Sequence, residues 1–298
     1  NGIVHEAAVF PDGDVPDFFT WEAFHGSIYS NYYQCGNYSP HNDSIRGHIN
    51  SLNIKVPGVR VDVYLALLDD VPRIRDVVYE ISNGFYEELV VVPMLVSNST
   101  HTDEIRDQME EVSHLIDDME VMVTEPFFEI PYMRKSLGGG IVAMAHHLRK
   151  SVPSGVEDHN IGVLLASHGT PYVPPFPEFG WVEGDIYSEL ITTEDAFHKD
   201  LESKLPWVSR TGRMNYSTPS IQNTLDDFER AGFTHVLVVP SAFPTAALHT
   251  MYDVATAAVG RVVLPEEGVV EHERPSGMKV YYTSRGIADL EPGLGECR

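Results

Sequence analysis

The stretch Ile161-Gly-Val-Leu-Leu-Ala-Ser-His-Gly-Thr170 is a short apolar run that stops at a Ser-His-Gly turn. A run of this length without polar alternation is the pattern of a strand buried on both faces of a parallel sheet. Ligands of such sheets bind beyond the C-terminal ends of the strands, and His168 falls at that end. Downstream, Ile221–Ala231 has apolar residues at helical spacing and Gly232 at its close, where a left-handed C-cap is expected. Val236-Leu-Val-Val-Pro240 reads as the next strand, followed by His249-Thr250.

The same order appears earlier in the chain. Phe24-His25-Gly26-Ser27 echoes Ser167-His168-Gly169-Thr170, and Val59–Leu67 reads as a strand. Ile74–Ser82 reads as a helix closed by Gly84, Leu89–Val92 as a strand ending near Pro93, and His101-Thr102 follows. Gly84 to His101 is 17 residues, as is Gly232 to His249. His25 and His168 are 143 apart, His101 and His249 148 apart. Ordered features at nearly constant offset indicate duplication. The expected architecture is α/β, with two homologous doubly wound domains, mostly parallel sheets and a cleft between the halves. The expected boundaries are an extension over 1–16, a first domain over 17–152 and a second over 158–298, joined near Lys150–His159. His101 and His249 are expected in loops, so that both histidines of each half meet at one sheet edge.

Composition narrows the function. Lys and Arg number 20 against 44 Asp and Glu, a net charge of −24, the wrong sign for a nucleic-acid partner. No apolar run reaches the length of a transmembrane segment. Two cysteines, Cys35 and Cys297, are too few for a disulfide framework or a thiolate metal site. They remain candidates for one long-range disulfide. Sequons occur at Asn37, Asn42, Asn98 and Asn215, and with the cysteines they point to an extracytoplasmic protein.

Fourteen histidines on an acidic chain suit metal handling. Neutral imidazole ligates divalent Co, Ni, Fe and Zn, and accepts protons near neutral pH. Paired histidines at one edge therefore suit metal delivery, metal-assisted hydrolysis or acid–base work. Gly138-Gly-Gly140 before the helical stretch Ile141–Leu148 is a candidate anion site at a helix N-terminus. His146 and His147 are adjacent, so they point to different sides of a helix.

Leu164-Leu-Ala-Ser-His-Gly-Thr-Pro171 resembles the strand-and-histidine motif of the class II tetrapyrrole chelatases, the ferrochelatases and the sirohydrochlorin cobalt- or nickel-chelatases. Gly184-Asp-Ile-Tyr187, Val238-Val-Pro240, Ala242-Phe243 and Leu248-His-Thr-Met-Tyr-Asp253 are similar to ferrochelatase segments. Val63-Tyr-Leu65 and Val91-Val-Pro-Met-Leu95 look more like the small sirohydrochlorin chelatases. The resemblance implies insertion of a divalent metal, Co, Ni or Fe, into a tetrapyrrole. It implies His168 and His249 as catalytic metal ligands, with Glu183 as the third, ahead of Asp185 and Glu189. His25 and His101 would be the corresponding metal ligands of the first half. Tyr172 and Tyr187 would contact the macrocycle, beside the aromatic stretch Pro171–Trp181. Ferrochelatases place glutamate where this chain has His249, which shifts the expected substrate towards sirohydrochlorin. Family analogy implies a cytoplasmic protein, against the sequons. Arg210, Arg213 and Arg285 are the cations available to a polycarboxylate. The alternative function is a non-enzymatic metal- or tetrapyrrole-binding protein on the same fold, for which the unusual first strand Asp17–Phe24 speaks.

Overall fold

A computed structural model describes residues 58–66, 68, 72–95, 100–127, 129–168, 198–201, 203–214, 219–243, 246 and 249–287, with side chains at 100 and 101 excepted. The Asp17–Phe24 strand, both cysteines and all four sequons lie outside the described residues. So do His25, Tyr172, Glu183, Asp185, Tyr187 and Glu189.

The protein is mixed α/β with mostly parallel strands. In chain order come α1 (Ile74–Ser82), β1 (Glu88–Val91), α2 (Thr100–Val112), β2 (Glu120–Val123), α3 (Pro131–Arg149), β3 (Ile161–Ser167) and β4 (Val208–Arg213). Then follow α4 (Ile221–Arg230), β5 (His235–Pro240), a π-helical segment His249–Val254, α5 (Ala255–Val259), β6 (Val270–Glu273) and β7 (Lys279–Tyr282). β1 and β2 pair in parallel. The larger sheet has the order β4-β3-β5-β7-β6, parallel throughout except for the antiparallel edge strand β6.

β3 shows why an unbroken apolar run suits this sheet. All seven of its residues are buried. Ile161, Val163 and Leu165 pack with Leu137, Ile141, Met144 and Leu148 of α3. Leu164 and Ala166 face the other way, onto α4, α5 and the π-helical turn, through Ile221, Leu225, Phe228 and Val254. β5 divides likewise, Leu237 and Val239 to one side, Val236 and Val238 to the other. Helices on both faces leave no strand face for water, so alternation disappears.

Gly162 is dictated by close approach. A Cβ there would lie 2.5 Å from the Phe228 ring, and both residues are central. Gly162→Ala is expected to destabilise the protein by about 1–3 kcal/mol through overpacking. Denaturant unfolding checks this; an unchanged midpoint would show that the ring moves aside freely.

α3 corrects one expectation. It begins at Pro131, the favoured N1 residue, and runs straight through Gly138–Gly140 to Arg149. The glycine amides sit in mid-helix, and the anion site placed there does not exist. Packing overrides the glycine penalty of roughly 0.5–1 kcal/mol per residue, because six side or main chains of α3 are buried. Although α3 precedes the Lys150–His159 connection, its apolar stripe covers the later sheet.

Other differences are local. Described residues of Val59–Leu67 form no strand ladder, and Val59, Val61, Val63 and Tyr64 are exposed. Side chains hold this segment instead: Arg60 pairs with Asp62 at 2.7 Å, and Tyr86 Oη donates to Asp62 at 2.8 Å. Gly232 has φ +85°, as its place after α4 requires, and the Ser220 hydroxyl accepts the Asn223 amide at the opposite end. The order helix, strand, helix, strand in α1-β1-α2-β2 recurs from α4 through β7. Ile74 and Ile221 begin helices 147 residues apart, and Glu88 and His235 begin strands at the same offset. Among the described residues no helix is long and apolar enough to cross a membrane.

Candidate active site at the C-terminal strand edge

The C-terminal ends of the central strands carry polar residues where an apolar core would be expected. Ser167, Arg213, Ser241, Thr250, Thr283 and Ser284 are all buried there. Backbone bonds extend the ladder past the strands: Ser241 N–H donates to Ala166 O at 2.8 Å, and Met214 N–H to Ser167 O at 3.1 Å. Buried polar groups are costly unless paired, so their concentration at one edge marks it as a site.

His168 follows β3 directly, as read from the sequence. His249 does not lie in a loop; it opens the π-helical segment, a conformation that is rare and concentrated at functional sites. The Tyr282 hydroxyl, fully buried at the end of β7, donates to Thr250 O and fastens this segment to the sheet. Burial holds the Tyr282 phenol well above its ordinary pKa, so it stays a proton donor. His101 is likewise in a helix, the first turn of α2, and not in a loop. Thr102 and Thr250, the residues after the two histidines, are both buried.

The structure brings His168 and His249 together. Their ring centroids are 5.0 Å apart and the rings perpendicular. The Phe243 ring neighbours both, its centroid 6.2 Å from that of His168 and 6.1 Å from that of His249. On the far side of His249, Nδ1 is 2.7 Å from Asp253 Oδ2. Their side chains are 26% and 31% exposed, so the pair is partly shielded yet open to solvent. With Nδ1–H donating to the carboxylate, Nε2 is the unprotonated ring nitrogen, the kind that ligates metals or accepts protons. Carboxylate partners of this kind fix the tautomer and the ring orientation.

The geometry suits one divalent ion. An ion held by two imidazole nitrogens at about 2.0–2.1 Å each requires rings about as close as this pair, whose centroids lie 5.0 Å apart. Among the described residues no group of three or more His, Cys, Asp or Glu side chains is disposed around an ion.

Asp253 was within a quoted motif but had no role in the sequence reading. Its signal was the four-residue spacing from His249, visible only if a helix is expected there. The three cations do not form a substrate cradle among the described residues. Arg210 covers the Phe228 ring at 4.9 Å, Arg285 donates to Pro265 O at 2.9 Å, and Arg213 is 2% exposed. His146 packs on Trp207 near the end of α3, away from this edge.

His198 is a second residue that no motif marks. It is buried beneath the site, and burial, with Arg213 adding, pushes its pKa down to about 3. The unfolded histidine titrates near 6.5, so between about pH 6.5 and 3 the unfolded chain binds a proton that the folded chain refuses. This contribution to stability is fully present above pH 6.5 and is lost on acidification. Between pH 6.5 and 5 the wild type should lose about 2 kcal/mol more than His198→Gln. Paired urea titrations measure the difference; a pH-independent gap would contradict a neutral buried imidazole.

The ferrochelatase family model matches residues 21–279. The chain belongs to the ferrochelatase family. A curated ferrochelatase from Synechococcus sp. (strain CC9605) is 23% identical over 242 residues, which cover 78% of this chain and 60% of that protein. This family member thus spans about three-fifths of that relative's length. Among solved structures, SirB from Bacillus subtilis with Fe3+ is similar at a TM-score of 0.47 and 15% identity, over 66% of this chain and 68% of that one.

Proposed function

We propose that the protein is a metallochelatase that inserts a divalent metal, Co, Ni or Fe, into a tetrapyrrole, with His168 and His249 as the residues that hand over the ion. The observation that carries this reading is the perpendicular imidazole pair at the strand edge, with His249 braced by Asp253. Membership of the ferrochelatase family supports the reaction class.

The metal arrives as a substrate and rests on the two imidazoles. A macrocycle lying over the edge presents its face to the ion, with Glu183, Tyr172 and Tyr187 from the intervening segment as further contacts. Each metal–nitrogen bond formed with the tetrapyrrole replaces one to protein, and two pyrrole N–H protons must leave. His249 Nε2, freed of the metal, accepts one, with Asp253 stabilising the resulting imidazolium through Nδ1–H, and His168, freed in the same way, accepts the other. Histidine in place of the family's glutamate at position 249 favours a sirohydrochlorin-type substrate over protoporphyrin. A softer nitrogen ligand suits Co and Ni as well as Fe.

Incubation with sirohydrochlorin or coproporphyrin and Co, Ni or Fe, followed by absorption, tests the proposal. Multiple turnovers are expected with at least one pair. Stoichiometric binding of tetrapyrrole or metal without metallation would replace the enzyme with a carrier.

A further inference from the structure

Below the imidazole pair, a third histidine joins the strand ends. Residues 198–201 form a helical turn whose Leu201 is packed against α3, which turns His198 inward. His198 is 2% exposed. Its Nδ1 lies 2.8 Å from Thr211 Oγ1 on β4, and its Nε2 3.1 Å from Ser241 Oγ, just past β5.

One neutral tautomer satisfies both contacts. The Ser241 hydroxyl donates its one proton to Ala166 O at 3.0 Å, so its oxygen accepts from His198 Nε2–H. Nδ1 then accepts from the Thr211 hydroxyl. One neutral imidazole therefore ties β4 to the end of β5, and through Ser241 to β3. Ala166 stands two residues before His168, and Ser241 starts the turn that carries Phe243 and leads to His249. These two chain ends precede the rings that lie 5.0 Å apart.

We propose that His198 is a positioning residue, holding Ser241 against Ala166 so that His168 and His249 keep the separation one ion requires. The inference rests on reading those two histidines as the metal-handling pair. A purely structural histidine would change stability and leave the pair untouched. A positioning residue changes the pair even while the protein stays folded. The discrimination lies in side-chain chemistry: glutamine supplies one donor and one acceptor as the neutral ring does, whereas leucine supplies neither.

The experiment compares His198→Leu, His198→Gln and Ser241→Ala with wild type in the full chain. Co2+ affinity and the 15N imidazole resonances of His168 and His249 in metal-free protein are read well below each variant's melting temperature. His198→Leu is expected to weaken Co2+ binding about tenfold or more and to shift both imidazole signals, while His198→Gln stays within about threefold. Ser241→Ala, a milder change that serves if the leucine variant does not fold, should fall between them. Equal losses in the leucine and glutamine variants, or unchanged affinity and unchanged resonances in folded leucine or alanine variants, would overturn the proposal. If wild type takes up no Co2+, the reading of the pair fails. The metal-free resonances then still decide His198, shifted signals supporting positioning and unshifted ones refuting it.

Discussion

Alanine at His168 or His249 is expected to lower metal insertion by at least about a hundredfold in kcat/KM for the metal, with melting temperature nearly unchanged. Loss of a group that merely supports a metal ligand costs about 10–100-fold, so loss of the ligand itself should cost no less. On this reading each imidazole supplies a ligand from its own chain segment, with the rings 5.0 Å apart, so neither can compensate for the other. The fold should survive, because both side chains lie at the strand edge and not among the core residues of β3 and β5. His25→Ala and His101→Ala should cost less. The second-half motif is the more complete, and the Asn98-Ser-Thr100 sequon directly precedes His101. Steady-state kinetics with varied metal measure all four variants. Equal or greater losses from the first-half changes would move the site.

Asp253→Ala should reduce metal insertion by about 10–100-fold, and Asp253→Asn by less, since the amide oxygen still accepts from Nδ1–H but carries no charge. The stability cost should stay below about 1 kcal/mol, because a partly exposed side-chain contact contributes little to folding. A large kinetic effect with a small thermodynamic one separates orientation of His249 from general support. Full activity in Asp253→Ala would show that the 2.7 Å contact has no part in the reaction.

Legibility followed physical cause. Strands buried on both faces announce themselves as apolar runs, so β3 and β5 were plain from Ile161–Ala166 and Val236–Pro240. His168 followed from β3, because a residue directly after such a strand has little freedom in where it goes. His249 came with the right edge and the wrong local structure. A π-helical turn is held by tertiary contacts such as Tyr282 to Thr250, which no local periodicity reveals, and Asp253 was hidden with it. Gly138–Gly140 misled for the converse reason: local propensity says break, while burial of α3 on the sheet says continue. Val59–Leu67 has the composition of a strand, yet its polar alternates Arg60, Asp62 and Tyr64 bind side chains and form no ladder among the described residues. His198 had no signal at all. Its partners Thr211 and Ser241 are 13 and 43 residues away, and only the fold unites them.

The most direct test of the central claim is a single-turnover transfer. Protein loaded with one equivalent of Co2+ and freed of excess metal is mixed with sirohydrochlorin, and the absorption change is followed. Transfer from a His168–His249 site predicts a stoichiometric burst of metallated product that free chelator in solution does not intercept, and that is absent from His249→Ala. Metallation that the chelator abolishes in wild type, or a burst of equal size in His249→Ala, would contradict it.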